Sequence, residues 1–127
     1  MNQPVKSYQW LSAIALACSL CACASPQHHT AASISDRESA AVSPTIEHYK
    51  KDGPVTGFDV KGESLIVFID SEKYSELDDD VESSMKSTLL NTWGRVWQTN
   101  HKGHAAVLHV VFQNYYGQVV DTLTKRV

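Results

Sequence analysis

Three histidines late in the chain, His101, His104 and His109, come nearest in type and spacing to a metal site. His101-x-x-His104 falls in a loop, ahead of a strand that carries His109, and catalytic zinc uses three protein ligands with a water in the fourth position. Nothing in the spacing makes the three rings converge, so they stand as weak candidates and no metal is assigned. His28 and His29 lie in a segment whose ordering would cost more than two ligands return, and they read as incidental. A second cluster is acidic: Asp70, Glu72, Glu76, Asp78, Asp79, Asp80 and Glu82 against the lone Lys73. The run lacks the glycine at the sixth position and the glutamate at the twelfth of a calcium-binding EF-hand loop. Acids at a helix N-terminus interact favourably with the helix dipole; beyond that, the run could face a basic partner.

The chain has no Gly-x-Ser-x-Gly elbow, no glycine-rich phosphate loop and no dinucleotide fingerprint. No catalytic residue and no cofactor is therefore assigned, and binding is expected rather than catalysis. Across 127 residues, 11 Lys+Arg face 14 Asp+Glu, which gives no basic stripe to displace counterions from phosphates. Nucleic acid is excluded as a partner on that ground.

The elements that must position these residues are read from periodicity. Phe58 and Val60 alternate with polar residues, Lys61-Gly62 supplies a turn, and Leu65-Ile66-Val67-Phe68-Ile69 is a buried strand. Ala105 to Gln113 forms another strand, Asn114-Tyr115-Tyr116-Gly117 a turn, and Gln118 to Arg126 a final, more polar strand suited to a sheet edge. Between the hairpins, Ser75 with Asp78 resembles a capping box at the head of one long helix. Leu77, Val81, Met85, Leu89, Thr92 and Val96 recur along it at helical spacing. The expected fold is a small α+β domain in the order ββαββ: a four-stranded antiparallel sheet with one long amphipathic helix packed on one face. Leu90, Trp93 and Trp97 flank the main apolar stripe of that helix. One sheet face does not readily cover both stripes, and tryptophan concentrates binding energy, so these three are candidate partner-binding or self-association residues. Coverage by residues 46–56, by the curl of the sheet or by the tyrosine turn is the competing expectation.

At the N-terminus, polar residues with one cation, Lys6, precede an apolar stretch from Trp10 to Leu20 and the small-residue run Cys21-Ala22-Cys23-Ala24-Ser25. This is the layout of a signal peptide, and the apolar run is shorter than the ~20 residues of a transmembrane helix. Leu20-Cys21-Ala22-Cys23 resembles a bacterial lipobox, with leucine at −3 and alanine at −1, whereas Ala22-Cys23-Ala24 satisfies the ordinary secretory rule with a cut before Ser25. The lipoprotein resemblance implies lipidation at Cys23 after removal of residues 1–22. It also implies a membrane anchor through the lipid, and, because Ala24 follows the cysteine, the outer membrane facing the periplasm. All three cysteines lie at or before position 23, so thiol chemistry is not expected in the folded part. Residues 24–45 are rich in alanine and serine, and the whole of 23–52 reads as a flexible tether, leaving 53–127 as the globular domain.

The expected function is that of an envelope binding or assembly module, an accessory subunit of an envelope or secretion complex, docking a protein partner or a second copy through a strand edge or the Leu90/Trp93/Trp97 flank. The alternative is a periplasmic module that binds a ligand or metal through the histidines or the acidic run.

Overall fold

In the computed structural model, residues 32–127 are described, and Ser33–Val127 forms one compact unit. Its elements are α1 (Ile34–Lys50), β1 (Val55–Lys61), β2 (Ser64–Ile69), α2 (Ser71–Ser75), α3 (Asp79–Asn100), β3 (Val107–Gln113) and β4 (Val119–Arg126). The expected signal peptide, the segment resembling a lipobox and the expected lipidation site Cys23 lie outside the described residues.

The first correction concerns the tether. Residues 34–50 form a helix, capped where Asp36 N donates to Ser33 Oγ at 3.0 Å. Glu38, Val42 and Ile46 recur every four residues and are all buried. Pro44 lies within this helix, where it removes a backbone donor and crowds the preceding turn. The burial of Val42 and Ile46 on either side offsets that cost. The domain therefore begins near position 33 rather than 53.

The two hairpins form as expected. A two-residue turn with Gly62 in the left-handed region (φ 59°) joins β1 to β2, and a loop with Gly117 at φ 80° joins β3 to β4. Strand order is β1-β2-β3-β4, but the sheet is mixed, because β2 and β3 pair in parallel. The reason is the single crossover. One helix returns the chain to the end of the sheet where β2 began, so β3 must run the same way as β2. At 22 residues, α3 is about 33 Å long, ample for that return.

The helical segment is also divided. Asp70 caps α2 by accepting from Lys73 N at 3.0 Å, and Ser75 Oγ donates to the Glu72 carbonyl at 2.8 Å, so Ser75 closes a short helix instead of opening a long one. Asp78 occupies the N-cap of α3 without a side-chain cap bond. Leu77 precedes α3, half-buried, and Val81 is 51% exposed; the apolar stripe begins at Met85.

The core lies between one sheet face and the two long helices. Leu65, Val67, Ile69, Leu108, Val110 and Phe112 alternate inward from the central strands, and Met85, Leu89, Trp93 and Trp97 descend on them from α3, with Val42 and Ile46 from α1. On the face away from the helices, Ile66, Phe68, Val107 and Val111 remain half-buried. Among the described residues no helix is long and apolar enough to cross a membrane. That finding corrects the outer-membrane and membrane-anchor expectation as far as the described residues reach.

Candidate functional site

The tryptophan flank is a core feature, not a surface. Trp93 is fully buried and Trp97 nearly so, and Trp93 Nε1 donates to the Glu63 carbonyl at 3.0 Å. Leu90 is half-buried against the same cluster. What covers the flank is α1, which packs on both β1 and α3. The candidate partner surface at Leu90, Trp93 and Trp97 is therefore corrected: its area is spent inside the domain.

The histidines do not converge. His101 stacks on the Trp97 ring, with centroids 4.1 Å apart. Its Nδ1 is 2.9 Å from the Trp97 carbonyl and 3.5 Å from Glu38 Oε2. His104 is exposed in the following loop, and His109 projects from β3 with Nδ1 3.4 Å from Thr124 Oγ1. Among the described residues no three or more His, Cys, Asp or Glu side chains are grouped to hold a metal ion. His101 instead belongs to the seam between α1 and α3.

The acidic run splits into two parts. Glu82 is drawn into a network with Lys86 and Asp121, at 2.6 and 2.5 Å from the lysine Nζ, and Tyr74 Oη donates to Glu82 Oε2 at 3.1 Å. Partial burial works against the Lys86 charge, but bonds to Asp121, Glu82 and Tyr74 outweigh it and hold the ammonium well above the usual lysine range. The same lysine holds the carboxyls of Glu82 and Asp121 below their usual range. The remaining acids, Asp70 at the α2 cap together with Glu72, Glu76, Asp78, Asp79 and Asp80, stay exposed, and no ion pair among the described residues neutralises them.

Both free strand edges are partly closed. Lys61 and Ser64 close the first hairpin, so Asp59 and Gly57 bond toward β2, while Val60 turns its N–H away from the sheet. That N–H donates to Asp59 Oδ1 at 2.9 Å. At the other edge, Ala106 and Val127 exchange two backbone bonds, which sets Asp121 toward β3 and Thr122 outward. Thr122 N donates to Asp121 Oδ1 at 2.8 Å. An incoming strand would find one outward donor already satisfied on each edge, which weakens docking by strand addition.

A hollow lies at the end of the sheet where the parallel strands β2 and β3 finish. It encloses about 510 Å³ and is lined by Thr56, Phe68, Ile69, Asp70, Gln113, Asn114, Tyr115 and Gly117. Asn114 builds its lip: Oδ1 accepts from Tyr116 N and Gln118 N, both at 3.0 Å. This lip presents Tyr115 and Tyr116 at 91% and 82% exposure, with the rings edge to face at 5.4 Å. A hollow at the carboxyl ends of parallel strands, with apolar floor and polar rim, is a common position for a binding site. The sequence reading missed it because its residues come from β1, β2 and the β3–β4 loop, and only the pairing of β2 with β3 brings them together. The Tyr-Tyr pair at a turn was the available signal.

No protein-family model, curated protein or solved structure matches this chain.

Proposed function

We propose that this domain is a protein-binding module, an accessory or assembly subunit of a bacterial envelope complex, acting by binding rather than catalysis. The envelope setting comes from the resemblance of residues 1–25 to an export signal. The observation that carries the binding reading is the pair Tyr115-Tyr116, two large rings held almost wholly in solvent, the first of them lining the 510 Å³ hollow. Tyrosine offers wide, rigid contact area at low entropic cost, and the Asn114 bonds pre-order the loop that carries it.

A photoreactive phenylalanine in place of Tyr115, compared with one in place of the exposed Thr88 on α3, tests the reading in native membranes and periplasm. Position 115 should capture one discrete protein and position 88 none. The Tyr115→Ser/Tyr116→Ser double variant should lose co-purification of that protein with its melting temperature unchanged. Equal capture from both positions, or co-purification indifferent to the tyrosines, would overturn it.

A further inference from the structure

We infer that the hollow at the strand ends receives a basic side chain, a lysine or arginine presented by a segment of the partner protein. This rests on the binding-module reading and states its chemistry. Among the described residues, the one charged group lining the hollow is Asp70. One of its carboxylate oxygens is committed to the α2 cap through Lys73 N, and the other has no hydrogen-bond partner among the described residues. Phe68 and Tyr115 supply aromatic walls, and a cation over an aromatic face gains from the ring quadrupole. The Gln113 side chain and the Thr56 hydroxyl add acceptors on the rim. Among the described residues no basic side chain lines the hollow to compete for Asp70.

An independent observation points the same way. The exposed acids Glu72, Glu76, Asp78, Asp79 and Asp80 lie on α2 and at the head of α3, the segment that leaves the sheet at Asp70. Lys73, the one cation of that segment, borders a separate hollow with Asp52 and Glu76. The segment that leaves the acid-bearing aromatic pocket thus carries unneutralised negative charge, the complement of a basic segment rather than of a neutral or acidic one.

The test is a titration of the isotope-labelled chain with the peptide Gly-Arg-Gly, blocked at both ends, and with its citrulline counterpart, which keeps the shape and loses the charge. The arginine peptide should shift the amides of Phe68, Asp70 and Gln113, and the citrulline peptide should not. Asp70→Asn, which retains an oxygen for the α2 cap, should weaken binding about fivefold without lowering the melting temperature. Asp78→Asn/Asp79→Asn/Asp80→Asn should weaken a longer basic peptide at low salt and leave the tripeptide unaffected. Equal titration by both peptides, shifts confined to another face, or affinity unchanged by Asp70→Asn would overturn the inference. So would free agmatine binding as tightly as a basic hexapeptide, because a small cation would then be the ligand. Photo-capture from position 115 that persists undiminished in Asp70→Asn would sink this inference and leave the binding-module reading standing; loss of capture from position 115 in the native sequence would remove both.

Discussion

Among the described residues, Glu38 holds the one buried side-chain oxygen without a hydrogen-bond partner. The residue is 2% exposed, and His101 Nδ1 lies 3.5 Å from that oxygen, Oε2. Burial pushes its carboxyl above the usual range, against the pull of His101 and Arg37. A raised carboxyl favours folding below its unfolded value and loses that contribution as the pH rises through the folded one. Glu38→Gln should therefore stabilise the domain by about 1 kcal/mol at neutral pH, in thermal unfolding, with the gain shrinking toward about pH 4. Lys86 gives the opposite sign. The carboxyls it holds, on Glu82 and Asp121, lie below their usual range, so its contribution is complete above the ordinary carboxylate range and fades as the pH falls through the lowered values. Lys86→Met should lower the melting temperature at neutral pH and converge with the parent in acid. An acid limb of equal steepness in both proteins would refute the network's role. Neither site was legible in the sequence: the Glu38 contact joins positions 63 apart, and Lys86 reads simply as a helix-surface lysine.

The N-terminal helix shows why an element can hide in a sequence. Residues 24–45 hold few large aliphatics, and a window ending at Thr45 stops one residue before Ile46, which completes the stripe Glu38, Val42, Ile46. With a glutamate in the stripe and a proline at 44, periodicity alone does not mark a helix. Both aliphatics are fully buried, so Ile46→Ala should cost about 2–5 kcal/mol in chemical denaturation, a loss that a flexible tether would not register. A chain starting at Gly53 should bare the Trp97 side of the core and unfold or aggregate; cooperative unfolding at the parent's midpoint would contradict the packing. The hairpins and α3, in contrast, were readable, because β-branched alternation and helical spacing are local properties. The parallel pairing of β2 with β3 was not read, an antiparallel sheet being expected; one helix between the two strands returns the chain once and so sets them parallel.

At the scale of the molecule, four strands and one covered face leave two edges and one open face to be managed. The Asp59 and Asp121 carboxylates each satisfy an outward N–H at an edge, a local device against sheet-to-sheet pairing. Asp59→Ala should increase the dimer fraction in sedimentation at high concentration, while Asp59→Asn, which keeps the acceptor, should not. A monomeric alanine variant would show that the side-chain bond has no part in keeping edges apart. With the edges restrained and the tryptophans internal, the open face and the strand-end hollow with its tyrosine lip remain to bind a partner.

By itself the sequence determined the strands, the turns at Gly62 and Gly117, the α+β class and the acidic character of residues 70–82, since each depends on residues near one another along the chain. It also suggested an exported origin for the N-terminal segment. Tertiary structure decided which apolar face stayed inside, because burial depends on what packs opposite: α1 covered Trp97, and the candidate interface became core. It alone assembled the hollow, since Thr56, Phe68, Asp70 and Tyr115 meet only when β2 and β3 lie side by side and end together.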